Sequence, residues 1–388
     1  MFDVMADSKY RQILAELKVQ ILESRFSSAN PFPSESAYAR EHGTTRNTVH
    51  RAFMELRRQG LIAGEPGEAP HVVLSKAARR IGVVVPDVLQ TEYFLRIVRE
   101  LLRRAEAARY TILFREINGA TAVARAACAE TLVEDLVQQG VAGVIFQPVE
   151  YCEDGEAFSR RMLERLDDAH IPVVLCDNGI AVNDNRHDIV GTDNIRAGMG
   201  MYRHLVDRGA RRICFFMRPH APQTHEDRMR GMILAKLSGW QGSVRGDERL
   251  VCEPDDVAAI RRRVRSGRVD AFLCGDDETA AKLMQTLDGI GCAVPGKVLV
   301  AGFNDLRIAG LLSPSLTTMR ISCEQIAAVA FMRLLSRISS PQLPPTEILL
   351  PAELVPRAST DPIKKSSKKS KPTKCASSSS QETGKGAV

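Results

Sequence analysis

The order of apolar and polar residues divides the chain into three regions. Between about residue 80 and residue 357, short runs of Val, Ile, Leu and Phe alternate with segments in which apolar residues recur every three or four positions. The apolar runs cover residues 81–86, 110–114, 141–146, 171–175, 213–216, 271–274 and 297–301. Continuous apolar runs separated by amphipathic helices are typical of parallel strands that are covered on both faces. This region is therefore predicted to form two doubly wound α/β lobes in series.

The start of the chain has a helical pattern instead. Apolar residues recur at three- and four-residue spacing over residues 10–22, which predicts a first helix with one buried face. Ser34 can cap a second helix that has Glu35 in its first turn, where a negative charge is favourable. Gly43 is expected to end that helix.

A third helix and a hairpin are predicted next. Thr44 or Thr45 can cap a helix over residues 46–59, which Gly60 then stops. Residues 61–63 and 71–73 flank a Gly-Glu-Pro-Gly turn, and this arrangement predicts two short paired strands. Three helices followed by a hairpin are the plan of a winged helix-turn-helix.

This first region resembles the DNA-binding domain of the GntR family. The resemblance is carried by Pro33, Ser34, Glu35, Ala39, Gly43, residues 45–49, Ala52, Leu56 and residues 60–62. It implies that the third helix enters the major groove, where Arg46 can bind guanine or a phosphate and Asn47 can reach adenine. The predicted DNA-binding residues are Ser34, Glu35, Ser36, Arg40, Thr45, Arg46, Asn47, Thr48, His50 and Arg51.

The chain departs from the GntR pattern at several of these positions. Ser36 and His50 stand where the family commonly has Arg, and Glu65 and Glu68 lie in the hairpin turn. Acidic groups repel phosphates. We therefore expect fewer phosphate contacts, and a shallower salt dependence of DNA binding, than in a typical member.

Short acids and amides follow one apolar run after another in the second region. These residues are Asp87, Gln147, Asp177, Asn178, Asp276, Asp277 and Asn304. Ligands of open α/β sheets bind at the carboxyl ends of the strands, so these side chains are expected to line a cleft between the lobes. Carboxylates and amides suit a neutral ligand rich in hydroxyl groups. The alternative is that each residue only caps the helix that follows it.

The second region resembles the effector domain of the LacI/GalR family, which is similar to periplasmic sugar-binding proteins. The matching strings are residues 81–86, 171–177, 191–194 with Ala197 and Gly198, Arg228 with Gly231, Val294 with Pro295, 302–305 and 313–318. The resemblance implies ligand contacts for Phe94, Gln147, Arg228, Asp276 and Asn304, with Asp177 close to the cleft. Asn304 stands where the family commonly has Asp.

A GntR-like head joined to a LacI-like sensor resembles regulators of the arabinose-repressor type. The resemblance implies a cytoplasmic homodimer that binds an operator in double-stranded DNA and responds to a small effector, with a sugar as the first expectation. Twofold symmetry would make the operator palindromic. Motion in the sensor is expected to reorient the two heads.

The expected domain limits follow from these resemblances. Residues 1–74 form the head, 75–80 a linker, 81–357 the sensor and 358–388 a disordered Lys/Ser-rich tail. One lobe is predicted to combine residues 81–180 with 306–330. The other is predicted to combine 181–305 with 331–357.

Composition changes the interpretation of charge. The 388 residues include 53 Lys and Arg against 47 Asp and Glu. Seven lysines and one acid after residue 361 account for the whole surplus of six positive charges. The surplus therefore belongs to the tail, and residues 1–78, the head with most of the linker, have ten basic residues against nine acidic ones. DNA recognition would depend on the positions of single arginines rather than on bulk charge.

Other classes of protein find little support in the sequence. No apolar run could span a bilayer, the N-terminus lacks a signal-peptide pattern, and the nine dispersed cysteines are expected to be reduced and mostly buried. Common nucleotide-binding, hydrolase and zinc-protease motifs are absent, so neither an enzyme nor a cofactor or metal ion is expected. His220 and His225 are predicted to lie on a solvated loop. Two alternatives stay open: a sensor with a degenerate head that acts through a protein partner, and a sugar-modifying enzyme.

Overall fold

The structure is a computed structural model. It describes residues 2–22, 25–26, 30–58, 61–64, 70–72, 79–86, 92–117, 122–151, 153–177, 186–239 and 249–361. The predictions for Asp87, the hairpin turn with Glu65 and Glu68, most of the linker, and the tail after residue 361 lie outside the described residues. No helix in the described part of the chain is long and apolar enough to cross a membrane.

The head contains the elements that its sequence predicts. They are α1 (Phe2–Leu22), α2 (Glu35–Glu41), α3 (Arg46–Arg58), β1 (Ile62–Ala63) and β2 (His71–Val72), with β1 and β2 antiparallel. Val49, Phe53 and Leu56 of α3 are fully buried, as expected, and pack against Ile13 and Leu17 of α1. Helices α2 and α3 therefore pack with α1 in a common core, and the opposite face of α3 is exposed.

Side chains cap both of these short helices at the predicted positions. The Ser34 hydroxyl accepts a hydrogen bond from the backbone N–H of Ala37 at 3.2 Å. The Thr45 hydroxyl accepts one from the backbone N–H of Thr48 at 3.3 Å. Each cap satisfies an amide that the helix itself cannot pair.

The first lobe is built on a six-stranded parallel sheet. Its strands are β3 (Arg80–Pro86), β4 (Thr111–Ile117), β5 (Gly143–Phe146), β6 (Val173–Asp177), β7 (Asp188–Thr192) and β13 (Glu347–Leu350), in the spatial order β13-β7-β6-β5-β3-β4. Its helices are α4 (Glu92–Ala107), α5 (Ala122–Gln138), α6 (Gly155–Asp168) and α12 (Cys323–Ser339). Val83 of β3 packs with α4 and α12, whereas Val84 packs with α5 and α6. Both faces of the sheet are thus covered, which explains its continuous apolar strands.

The second lobe repeats this plan. Its strands are β8 (Ile213–Met217), β9 (Arg249–Val251), β10 (Ala271–Cys274), β11 (Leu299–Asn304), β12 (Thr317–Arg320) and β14 (Glu353–Val355), in the order β14-β12-β11-β10-β8-β9, with only β14 antiparallel among them. Its helices are α7 (Asn194–Asp207), α8 (Gln223–Leu237), α9 (Val257–Arg265), α10 (Asp277–Gly289) and α11 (Arg307–Leu311). Cys176 of the first lobe and Cys214 and Cys274 of the second are buried free thiols, as expected.

The predicted division of the chain between the lobes is wrong in three places. Strand β7 lies in the first sheet, where Val190 pairs with Cys176 of β6, although residues 181–305 are predicted in the second lobe. Residues 306–320 belong mainly to the second lobe, because β12 pairs with β11. Residues 331–350 are predicted in the second lobe, but the end of α12 packs on the first lobe and β13 pairs with β7. The chain consequently crosses between lobes three times, after β7, after β12 and after β13.

The ordered chain also extends past the predicted start of the tail. Residues Ala358–Thr360 form a 3-10 turn against the second sheet. The Ser359 hydroxyl donates to the carbonyl of Val300 at 2.6 Å, and the Thr360 hydroxyl hydrogen-bonds that of Thr317 at 2.7 Å. Because both side chains are fully buried, residues 358–360 belong to the sensor rather than to a disordered tail.

Candidate functional site

A cleft of about 390 Å³ lies between the two lobes at the carboxyl ends of their strands. Of the residues predicted to contact a ligand, those that line it are Phe94, Asp177, Arg228, Asp276 and Asn304. Asp177 ends β6 and Asn304 ends β11, while Asp276 lies two residues after the end of β10. The parallel sheets thus bring together side chains that are up to about 210 residues apart in the chain.

Arg228 is the most buried cation of the cleft, with 2% of its surface exposed. Its Nε donates to Asn194 Oδ1 at 2.8 Å, and its Nη1 donates to the carbonyl of Gly275 at 2.6 Å. The guanidinium carbon lies 4.6 Å from the centre of the Phe303 ring. Both acceptors are neutral, and within the described residues Nη2 makes no hydrogen bond. This nitrogen can therefore donate to a ligand.

The position of Arg228 depends on a very close contact between α7 and α8. A Cβ atom on Gly198 of α7 would stand 2.0 Å from the Arg228 carbonyl oxygen, and one on Gly231 of α8 would stand 2.0 Å from the Ile195 carbonyl oxygen. Only glycine allows the two backbones to approach so closely. The contact brings Asn194, at the start of α7, within hydrogen-bonding distance of Arg228.

Asp177 and Tyr93 form a hydrogen-bonded pair on the wall of the first lobe. The Tyr93 hydroxyl donates to Asp177 Oδ1 at 2.5 Å. Burial raises the pKa of Asp177, although the hydrogen bond from Tyr93 and the charge of Arg228 both act to lower it. Tyr93 is a cleft residue that the sequence analysis does not identify; its position beside Phe94 on α4 is the available signal.

Asp276 connects the two lobes across the cleft. Its Oδ1 caps α10 by accepting from the Thr279 backbone N–H at 2.6 Å, and its Oδ2 accepts from the Tyr151 hydroxyl at 2.9 Å. The two interpretations of this aspartate, helix cap and cleft residue, therefore both hold. Tyr151 belongs to the loop after β5, so this hydrogen bond runs from the first lobe to the second.

His225 lies beneath this bridge, and its predicted location on a solvated loop is wrong. It is on α8 and 4% exposed, with Nε2 3.7 Å from Asp276 Oδ2 and its ring 6.1 Å from that of Tyr151. Burial, reinforced by the charge of Arg228, lowers the pKa of His225 to about 3. The imidazole is therefore neutral near pH 7. His225 lies three residues before Arg228 on the same helix, and this spacing is the signal that could have placed it at the cleft.

Gln147, which is predicted to contact the ligand, does not line the cleft. It is 1% exposed and is not among the cleft-lining residues. Its Nε2 donates to Glu150 Oε1 at 3.0 Å. Glu150, three residues further along the chain, lines the cleft instead of Gln147.

Glu150 should make the stability of the protein depend on pH. Burial, reinforced by the charge of Asp177, raises the pKa of its carboxyl to about 8. At a pH between its unfolded and folded pKa values, the Glu150 carboxyl is protonated in the folded protein but ionised in the unfolded chain. The free energy of unfolding therefore falls as the pH rises from about 5 to about 8. We expect the free energy of unfolding of Glu150→Gln to fall less over that range than that of the wild type. Urea denaturation at a series of pH values measures this, and identical pH profiles would contradict the assignment.

Most of the predicted DNA-binding residues of the head are exposed to solvent. Those that are exposed are Ser34, Ser36, Arg40, Thr45, Arg46, Asn47, His50 and Arg51, while Thr48 is half-buried. Glu35 sits among the cations with its side chain 15% exposed, 3.0 Å from His50 Nδ1 and 3.6 Å from Arg46 Nε. The guanidinium of Arg51 stacks 4.8 Å from the centre of the Tyr10 ring. Glu35 therefore positions basic side chains of α3 rather than facing solvent.

Comparison with known proteins agrees with this architecture. Residues 202–360 match the family described as a periplasmic binding protein-like domain. The chain is 23% identical over 367 residues to the arabinose metabolism transcriptional repressor of Geobacillus stearothermophilus, a match that covers 92% of this chain and 98% of that repressor. It is 30% identical over 234 residues to the HTH-type transcriptional repressor PurR of Edwardsiella ictaluri (strain 93-146), covering 58% of this chain and 64% of that protein.

A solved structure shows the same fold. It is the periplasmic binding protein/LacI transcriptional regulator from Alkaliphilus metalliredigens QYMF complexed with D-xylulofuranose, with a TM-score of 0.59, 22% identity, and coverage of 73% of this chain and 99% of that one. The two parallel-sheet lobes thus have the fold of LacI-type periplasmic-binding-protein domains. The chain is homologous to transcriptional repressors, and the relatives compared here are regulators rather than enzymes.

Proposed function

We propose that this protein is a transcriptional repressor whose affinity for an operator in double-stranded DNA is controlled by a sugar bound between its two lobes. The observation that carries the proposal is the composition of the cleft: a buried Arg228 with a nitrogen directed to no described acceptor stands beside Asp276 and Asn304. Such paired donors and acceptors suit vicinal hydroxyl groups. The sugar in the related LacI-type structure supports the same class of ligand.

We assign the ligand contacts of the proposed site to Phe94, Asp177, Arg228, Asp276 and Asn304. Phe94 would stack on the apolar face of a sugar ring. Asp276 and Asn304 would bracket neighbouring hydroxyls, and Arg228 would donate to one of them. A thermal-shift screen of pentoses, hexoses and uronic acids tests this assignment, because a ligand that binds only the folded state raises its stability.

The head is proposed to be a winged helix-turn-helix of the GntR type. The order of three helices and an antiparallel hairpin supports it, as do the caps at Ser34 and Thr45. Thr45, Arg46 and Asn47 would present the exposed N-terminal turn of α3 to the major groove. The protein would act as a homodimer on a palindromic site, and binding of sugar would reorient the two heads.

Arg46→Ala should weaken specific binding to a duplex from the protein's own promoter region by about 10- to 100-fold, since one bidentate contact to a base is worth about 1–3 kcal/mol. Arg103→Ala is the matched control, because Arg103 is an exposed arginine of α4 that pairs with Glu100 at 2.7 Å, far from the head in the chain. Electrophoretic mobility shifts at two salt concentrations measure both variants.

One observation favours a second candidate, a sensor that acts through a protein partner. Glu35 lies close to Arg46 and His50, which reduces the positive charge available to phosphates. In that case the wild type would show no salt-sensitive specific shift, and Arg46→Ala would bind the duplex as the wild type does.

A further inference from the structure

Basic and acidic side chains are divided unequally between the two walls of the cleft. The second lobe contributes Arg218, Arg228 and Lys282 together with Asp276 and Glu278. Among its described residues, the first lobe contributes two carboxyl groups, Glu150 and Asp177, and no cation. The undescribed residues 87–91 and 178–185, which follow β3 and β6 in the chain, contain two aspartates and no basic residue.

The two carboxyl groups of the first lobe are only partly satisfied. Asp177 Oδ1 accepts from Tyr93 and Glu150 Oε1 accepts from Gln147. Within the described residues, the second oxygen of each carboxyl accepts no hydrogen bond. Neither of these oxygens is enclosed away from the cleft. Two acceptor atoms are thus available at one wall.

The cations of the opposite wall compensate this pair only in part, since the charge of Arg228 lowers the pKa of both carboxyls while burial keeps each pKa raised. Arg218 is engaged with Glu253 at 3.0 Å and stacks on Tyr151 at 4.9 Å. Arg228 donates to two neutral acceptors on its own lobe. Lys282 is exposed to solvent, and His225 is uncharged because of its burial. Burial raises the pKa of both carboxyl groups, and the charge of Asp177 raises that of Glu150 further.

From this division of charge we propose that the ligand is a polyhydroxylated compound with a protonated amine, such as an amino sugar, and that Glu150 and Asp177 bind its ammonium group. The inference rests on the proposed function, since it places the hydroxyl groups of the same ligand against Arg228, Asp276 and Asn304. A primary ammonium has three donors and no acceptor. It therefore matches a wall on which two carboxyl oxygens are open to accept hydrogen bonds.

Matched pairs of sugars test the inference by isothermal titration calorimetry on the full-length protein. The pairs are D-glucosamine with D-glucose, D-galactosamine with D-galactose, and D-mannosamine with D-mannose. For the pair that binds best, the amine should bind at least about 10-fold more tightly than the neutral sugar, the size expected for a hydrogen-bonded charge. In Glu150→Gln this ratio should fall below about 3.

Two controls keep the possible failures apart. Glu156→Gln removes an exposed carboxyl of α6, which pairs with Arg160 at 2.9 Å, and it should leave the affinity ratio unchanged. If the neutral sugars bind as tightly as the amines, or the ratio survives in Glu150→Gln, the amine inference is overturned while the sugar sensor stands. If neither member of any pair binds and the wider sugar screen is also negative, the proposed function itself fails.

Discussion

Replacing Arg228 by methionine should weaken binding of the sugar that most stabilises the wild-type protein by about 100-fold. Methionine keeps most of the side-chain volume but removes every donor, and a hydrogen bond from a charged group is worth about 1.5–3 kcal/mol. The substitution also leaves Asn194 Oδ1 and the Gly275 carbonyl without their donor. The cleft would thus lose the hydrogen bonds that hold Asn194 and the Gly275 carbonyl, in addition to a ligand contact. The dissociation constant from calorimetry measures the effect.

The neighbouring Arg230 provides the control for this change. It is on the same helix, its side chain is 58% exposed, and it pairs with Asp227 at 2.7 Å. Arg230→Met should therefore bind the sugar as the wild type does. An Arg228→Met protein that is folded and retains wild-type affinity would show that the cleft is not the sugar site.

Gly231→Ala should lower the free energy of unfolding by about 3 kcal/mol, at the upper end of the usual cost of overpacking. The added methyl group would lie 2.0 Å from the carbonyl oxygen of Ile195, which belongs to backbone and cannot turn aside. Helices α7 and α8 would have to separate. Because Asn194 and Arg228 come from these two helices, the variant should also lose part of its affinity for the sugar.

Gly289→Ala is the matched substitution for the stability measurement. Gly289 ends α10, and a methyl group there would meet no atom within 4 Å. Alanine at a compatible helical position stabilises by about 0.4–1 kcal/mol, because it restricts the unfolded chain. Urea denaturation of both variants should thus give changes of opposite sign. Equal stabilities of Gly231→Ala and the wild type would mean that the two helices are not in backbone contact.

The sequence predicts individual strands well and their grouping poorly. Buried runs such as 81–86 and 271–274 become β3 and β10 because a strand covered on both faces must be apolar throughout. Strand β7 begins with Asp188, whose carboxylate is fully buried and pairs with Arg333 and Arg337 of α12. No local pattern distinguishes such a strand from a polar loop. The order of the strands along the chain also does not show which sheet each strand joins. For this reason the predicted limits of the two lobes are wrong.

The same contrast applies to the cleft. Asp177, Asp276 and Asn304 are predictable because strand ends of parallel sheets meet at one edge. Tyr151 is not, because its side chain reaches Asp276 from a loop in which its own backbone has φ +51°. Gln147 has the right place in the chain but lies under Glu150. Side-chain direction in loops depends on tertiary contacts that one sequence does not display.

The repeated crossing of the chain between lobes has a consequence for synthesis on the ribosome. The first five strands of the first lobe are complete once β7 has been made, but α12 is complete only about 150 residues later and β13 about 160 residues later. At about 5–20 residues per second this delay lasts about 8–30 s. During that time the apolar sheet face formed by Ile145, Val174 and Val190 lacks α12, one of the two helices that cover this side of the sheet in the finished protein. The nascent first lobe is therefore expected to be a chaperone substrate until α12 and β13 have been synthesised.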